Sequence, residues 1–236
     1  MAIYDYQSDA QKGTTLLMGV KRGANNRASA IEPASKEFIE SKPRVISRDR
    51  KTCVSCNLTL EEHELQVHHV DDNHDNNMMH NLVTRCPLCH AVNHLNLIPR
   101  DMAYIIFFPV VDQHLINHLC LSLAIAKTYG GAAKEEADAL HKLILERYTE
   151  PVLRVFGSYE PSLFGDVMLG MSDEEYNRRE GSLSELRVFF NPDRLSKTAE
   201  LLKSRHYEAN PFELWKAVFE SALRKADDKN RELSYG

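Results

Sequence analysis

Four of the five cysteines stand in two Cys-x-x-Cys pairs, a spacing typical of a structural zinc site. The pairs are Cys53 with Cys56 and Cys86 with Cys89. Each pair presents two thiolates from one tight turn, and two pairs complete a tetrahedron around Zn²⁺. Reduced cysteines packed as small apolar side chains are the alternative. Two correctly spaced pairs favour the metal, so the sequence predicts a zinc ion held by these four thiolates.

Histidines crowd the same stretch, since seven of the eleven lie between residues 63 and 94. His90 and His94 are four residues apart, so on a helix both rings leave the same face. His68 and His69 are neighbours in a strand, where successive side chains point to opposite sides. We expect one of these two to join His90 and His94 on a second divalent cation, while the other faces an attacking water. Histidines held by packing, with no ion, are the alternative.

The elements that position these residues follow from the pattern. Alternation over residues 65–70 predicts a short strand, and the run DDNHDNN at 71–77 is typical of a turn. Residues 82–84 predict a second strand, which closes a hairpin. Pro87 suits the first turn of a helix that carries one cysteine and two of the histidines. The predicted order is strand, loop, strand, helix.

Beyond this region the pattern is mainly helical. A strand is predicted at 104–110, and Asp112 is expected to cap a helix that ends at Gly130-Gly131. A second helix over 133–156 is expected to split or kink at Pro151, and a short one follows at 161–170. Two Asn-Pro dipeptides, each an N-cap residue followed by proline, predict helices over 193–207 and 212–228.

The chain as a whole is therefore predicted to be an α+β protein, a ββα zinc module with a four-cysteine site followed by a mainly helical C-terminal region. Four segments are expected: an N-terminal arm at 1–40 with a strand at 14–20, the zinc module at 41–100, a strand plus helices packed on the module at 101–171, and a helical extension at 172–236.

Charge and hydropathy exclude some classes of protein. The net charge of −5 and the pI near 6.1 argue against a chain built throughout to coat nucleic acid. Residues 41–51 carry +4 and residues 53–96 carry −5, so only the first segment offers a basic face, and a solvated surface is the simpler interpretation of it. No stretch approaches the roughly 20 apolar residues that span a bilayer, and the first residues lack the apolar core of a secretion signal. We expect a cytoplasmic protein without direct membrane insertion.

Three runs, RDRKTC-x-x-C, VHHVDDN and HNLVTRCPLCHAVNH, resemble the HNH (ββα-metal) endonucleases that carry a four-cysteine zinc site. The resemblance implies that His68 is a metal ligand and His69 the general base that deprotonates water. It implies that Asn81 orients the base and the loop, and that His90 and His94 complete a catalytic site for a divalent metal (Mg²⁺, Mn²⁺, Ni²⁺ or Zn²⁺). An Asp-Asp-Asn run replaces the glycine-rich loop common in that family.

Two later runs, YIIFFPVVDQHLINHLCLSLAIA and VFGSYEPSLFGDVML, resemble the IcmJ/DotN family over roughly residues 15–171. Members of that family are HNH-like components of the coupling complex of bacterial type IVB (Dot/Icm) secretion and related conjugation systems. The resemblance implies a zinc-stabilised adaptor that binds the C-terminal tail of the coupling ATPase and is peripheral to the inner membrane through that partner. The alternative is an HNH endonuclease, whose partner is nucleic acid and whose general base is His69.

Overall fold

The computed structural model describes residues 16–22, 35–206, 212–214, 216–217, 219–221 and 223–225. The chain divides into two compact units, Met1–His94 and Leu95–Gly236. We call them unit 1 and unit 2. All the cysteines and histidines of the predicted module lie in unit 1.

Within the described residues, unit 1 begins with the segment 16–22, and helix α1 (Lys36–Arg48) follows. The Ser35 hydroxyl caps α1 by accepting a hydrogen bond from the Phe38 amide at 3.1 Å. The helix buries Val45 and Ile46. The predicted segment boundary at residue 40 falls inside α1.

The zinc-module elements follow in the predicted order. Strands β1 (Gln66–His69) and β2 (Leu82–Arg85) pair antiparallel, with Gln66 opposite Arg85 and His69 opposite Leu82. Helix α2 (Pro87–Val92) starts at the predicted proline. One detail was wrong: α2 is capped at Asn93, so His94 lies just beyond the helix instead of on it.

The strand expected at 14–20 is a second correction. Residues 16–20 are not in a strand, and residues 14–15 lie outside the described part of the chain. The segment is instead tied to α2, because the Gly19 amide donates to the Val92 carbonyl at 3.1 Å and the Asn93 side chain donates to the Leu17 carbonyl at 2.8 Å.

The described part of unit 2 contains one antiparallel pair of strands and a succession of helices. The strands are β3 (Ala103–Phe107) and β4 (Leu186–Phe190). The helices are α3 (Gln113–Tyr129), α4 (Gly131–Tyr148), α5 (Glu150–Phe156), α6 (Pro161–Leu169), α7 (Asp173–Asn177), α8 (Arg179–Leu183) and α9 (Ser196–His206).

Most predicted helices of unit 2 are confirmed. Helix α3 follows Asp112 and ends at Gly130, whose φ of 72° is the left-handed conformation that glycine tolerates. The long helix predicted over 133–156 is split near Pro151 into α4 and α5. The first Asn-Pro pair opens a 3-10 turn (Pro192–Arg194) before α9. The second, at 210–211, lies outside the described residues.

The predicted helical extension at 172–236 also contains a strand that the sequence analysis did not predict. Strand β4 lies in this segment, and each of its residues pairs with one of β3, from Ala103 opposite Phe190 to Phe107 opposite Leu186. The sequence Leu-Arg-Val-Phe-Phe is rich in residues that favour strands, so composition alone carried a signal. Among the described residues no helix combines the length and the apolar character that crossing a membrane requires.

Candidate metal centres

The four cysteines predicted to bind zinc come together in unit 1. Their Sγ atoms all lie within 4.8 Å of one another, and all four side chains are buried and free of disulfides. The Cys56 and Cys86 Sγ atoms are 3.7 Å apart. A tetrahedral site with Zn–S bonds of about 2.3 Å has an edge of about 3.8 Å. The donor set therefore fits a zinc ion.

Two local structures hold the sulfurs in place. In the first pair, the Asn57 amide donates to the Cys53 carbonyl at 2.9 Å, and Asn57 has a φ of 59°, which closes a tight turn. In the second pair, Cys86 is the N-cap of α2, and its Sγ accepts from the Cys89 amide at 3.5 Å. One turn precedes β1 in the chain and the other follows β2. A metal shared by both turns would therefore tie the hairpin to α2.

Contacts between the four sulfurs, together with their burial, make the cluster poor at holding several thiolates without a cation. The pKa values of Cys56, Cys86 and Cys89 are raised, and only that of Cys53 is lowered, by hydrogen bonds from the other three thiols. A bound Zn²⁺ supplies the positive charge that keeps all four sulfurs deprotonated. Buried Arg85, whose interaction with the cysteines opposes the pKa lowering caused by its burial, adds a further positive charge nearby.

The second cluster consists of the predicted histidine ligands. His68 on β1, His90 on α2 and His94 after α2 each offer a ring nitrogen within 4.8 Å of the others. The Nε2 atoms of His90 and His94 are 3.2 Å apart. Two ligands of a tetrahedral Zn²⁺ at about 2.0–2.1 Å would be about 3.3 Å apart, so this spacing fits a metal.

The charge state of these rings suits metal binding. Burial lowers the pKa of His90 to about 3 and that of His94 to about 2, and it holds the pKa of His68 well below its usual range. All three are neutral at pH 7, which is the form that binds a cation. An Asp72 carboxylate oxygen lies 3.8 Å from His68 Nε2 and adds negative charge beside the cluster.

His69 lies on the opposite side of β1, as alternation predicted, but it is closed off from solvent. Its ring is stacked on Phe38 of α1, with the ring centroids 5.1 Å apart, and the tilted ring of His74 lies 4.4 Å away. Its Nε2 is 3.0 Å from Asn77 Oδ1. His69 is only 1% exposed, so a general base at this position has no open path to water in this conformation.

Asn81 orients the loop between the strands. Its side-chain amide donates to the Asp71 carboxylate and to the Asn76 carbonyl, both at 2.8 Å, and its oxygen accepts from the Asp71 amide at 3.1 Å. The residue bonded to the His69 ring is Asn77, not Asn81. Asn81 therefore holds the loop, and the side-chain contact to His69 comes from Asn77.

Sequence reasoning missed three residues of this site, Phe38, His74 and Asn77. Phe38 lies 31 positions before His69 in a segment expected to be an arm, so nothing in the local pattern connected the two. Asn77 was interpreted only as turn chemistry, and His74 only as a loop residue. His74 is half-buried, with its ring 5.4 Å from that of His94.

No protein-family profile matches the chain. Among curated proteins, it is similar to the type 4 apparatus protein DotN of Legionella pneumophila, with 25% identity over 214 residues. The match covers 86% of this chain and 88% of that protein. It supports the DotN/IcmJ family. Because neither unit makes up 86% of the chain, the similarity to DotN includes residues of both, and it goes beyond a shared zinc module.

Proposed function

We propose that this chain is a zinc-stabilised adaptor of a type IVB secretion or conjugation coupling complex, and that it binds the tail of the coupling ATPase. The observation that carries the proposal is the match to DotN over most of both chains. A similarity of that extent favours a common role in an apparatus over a borrowed motif. The adaptor would work in the cytoplasm, next to the inner membrane through its partner.

The geometry of unit 1 supports a structural role for the metal. Four buried thiols join the hairpin to the start of α2, and a closed four-ligand set is typical of zinc that stabilises a fold. Zinc at this site would contribute free energy to folding, because the ligands converge only in the folded chain.

The test is reconstitution with a defined partner. The full chain is mixed with the purified cytoplasmic tail of the coupling ATPase from the same organism, and binding is measured by calorimetry. We expect a complex of fixed stoichiometry, which a tail of equal length and scrambled sequence does not form. Absence of binding by the zinc-loaded chain would refute the adaptor.

A metal-dependent HNH endonuclease that cuts DNA is the second candidate, and the histidine cluster is the observation that favours it. Two features oppose it: Phe38 covers His69, and residues 53–96 carry a charge of −5 where a phosphate must bind. The activity predicts plasmid nicking with Mg²⁺, Mn²⁺ or Ni²⁺ that His69→Ala abolishes. Nicking by wild type that survives in both His69→Ala and His90→Ala would indicate a contaminant.

A further inference from the structure

We propose that the outer faces of α5 and α6 form a docking surface for a basic amphipathic helix of a partner protein. Five exposed apolar side chains make up this surface, which we call the α5–α6 patch: Leu153, Val155, Phe156, Leu163 and Val167. The identity of the natural partner rests on the proposed function, whereas the surface rests on the structure of unit 2 alone.

Exposed apolar side chains are concentrated in this patch. Of the twelve large apolar residues exposed in the described part of the chain, five lie within the segment 153–167. Val155 is 72% exposed and Val167 is 65% exposed. Single apolar residues are ordinary on a protein surface, but contiguous groups mark interaction sites.

The two helices of the patch are joined and firmly supported. The Phe156 and Phe164 rings are 5.3 Å apart and connect α5 to α6. The loop between the helices is held to β3, because the Ile105 amide donates to the Tyr159 carbonyl at 2.8 Å. The ring contact therefore places the C-terminal end of α5 beside α6, and β3 supports the loop between them.

Helix α6 is apolar on both of its sides. Its inner side buries Phe164, Gly165 and Met168, and a Cβ atom on Gly165 would lie only 2.3 Å from the Asn96 amide nitrogen. The inner side of α6 therefore packs directly on the backbone at Asn96. The outer side carries Leu163 and Val167. Exposed leucine and valine on the outer side of a helix whose inner side is already buried favour a partner that covers them.

The spacing of the outer residues suits a helix. Leu163 and Val167 are four residues apart on α6 and form one ridge. Ridges of this kind pack into the groove between the ridges of a second helix. An amphipathic helix recognised in this way contributes an apolar stripe with a repeat of three and four residues.

The charge around the patch indicates which residues the partner helix carries on its polar face. Residues 150–179, which include both helices of the patch, contain six acidic residues and three arginines, a net charge of −3. One of these arginines, Arg154, is exposed on α5 and is paired with Glu150. Asp166 is exposed on α6 between Leu163 and Val167, and the exposed acids of α7 begin at Asp173, just after α6 ends. Lysine or arginine beside the apolar stripe of the partner would complement these carboxylates.

The same charge argues against two other occupants. In a symmetric dimer the patch of a second copy would bring its own carboxylates against these. An anionic lipid surface would also repel them. The favoured occupant is therefore a separate, basic helix.

The test uses two synthetic helical peptides with the same leucine stripe, one with lysine and one with glutamate at the polar positions. Anisotropy with the zinc-loaded full chain is expected to show binding of the lysine peptide only. The double variant Val155→Ser/Val167→Ser is expected to weaken this binding by at least about tenfold. The matched control is Ile39→Ser/Met78→Ser in unit 1, whose side chains are 60% and 58% exposed, and it is expected to bind like wild type.

Each contrary result has a definite meaning. Equal binding of the two peptides, or an unchanged affinity in the patch variant, overturns the surface. A wild-type chain that sediments as a dimer, with a patch variant that sediments as a monomer, also overturns the proposal, because a second copy would then be the occupant. An ATPase tail that binds wild type and patch variant alike overturns the surface and leaves the adaptor standing. A lysine peptide that binds through the patch while no tail binds supports the surface and refutes the adaptor.

Discussion

The cysteine and histidine clusters are built on the same hairpin and the same short helix, yet they differ in the number of ligands that they offer a metal ion. Four thiols surround one point, and every one of them is buried. The histidine cluster has three nitrogens, from His68, His90 and His94, and a carboxylate of Asp72 near His68. Closed four-ligand sets are typical of structural zinc, and three-ligand sets leave a position for water or substrate. We therefore expect the cysteine cluster to bind a structural metal, and the histidine cluster to bind a metal that the fold does not require.

The strongest test of this contrast is Cys86→Ser. It removes the thiol that caps α2 and lies 3.7 Å from Cys56 Sγ. We expect zinc loss and unfolding of unit 1, because zinc binding contributes about 10–16 kcal/mol in zinc-finger peptides. Metal analysis and circular dichroism measure the two effects. Cys120→Ala is the control, since Cys120 is buried in α3 of unit 2 and should keep the zinc. A Cys86→Ser chain with wild-type zinc content would contradict the structural role.

The histidine cluster should respond differently to the matched change. His90→Ala is expected to reduce the number of metal ions bound per chain from two to one, with a fall in Tm of no more than a few degrees. The reason is that the hairpin stays tied to α2 through the cysteines. Titration with Zn²⁺ or Mn²⁺ measures the stoichiometry, and exposed His63 provides a control as His63→Ala. Unfolding of His90→Ala to the same extent as Cys86→Ser would erase the distinction.

A smaller effect is expected from uncovering His69. Phe38→Ala removes the ring that stacks on His69, at a cost of about 1 kcal/mol in the free energy of unfolding. The zinc content should not change, and modification of His69 by diethylpyrocarbonate should become faster. Ile39→Ala, at the exposed neighbouring position, is the control. An unchanged modification rate would mean that Phe38 does not close this side of the site.

The smallest effect concerns a buried histidine outside both clusters. His141 of unit 2 lies 3.0 Å from Lys127 Nζ, and burial together with this charge lowers its pKa, against the opposing pull of Asp193 and Asp138. The unfolded chain therefore binds a proton more readily, and stability is lost as the pH falls below about 6.5. We expect the Tm of unit 2 to drop by a few degrees between pH 7 and pH 5. His141→Gln should flatten this dependence, and an identical slope in both proteins would rule out His141 as its source.

Local signals were sufficient for the elements of unit 1. The period-two alternation around His68 and His69 predicted both the strand and the opposite directions of the two rings, because successive side chains of a strand point to opposite faces. Pro87 predicted the start of α2, since its ring favours the first helical turn. The end of α2 was not predicted, because no glycine or proline marks Asn93 as a cap.

The sequence gives no signal for contacts between distant positions, and the wrong or missing predictions concern such contacts. Strand β4 was missed although its composition favours a strand, because its partner β3 lies some 80 positions earlier and its neighbours in sequence are helical. Asn77 was missed as the partner of His69 because a turn residue and a hydrogen-bond partner have the same sequence signature.

The amino-acid order was enough to identify both sets of donors, since Cys-x-x-Cys turns and the alternation of a strand are properties of a few consecutive residues. Whether those donors are open to solvent was a matter for the folded chain. The stacking of Phe38 on His69 and the uncovered outer side of α6 depend on contacts between segments that are far apart in sequence, and the free energy of such contacts leaves no mark on either segment alone.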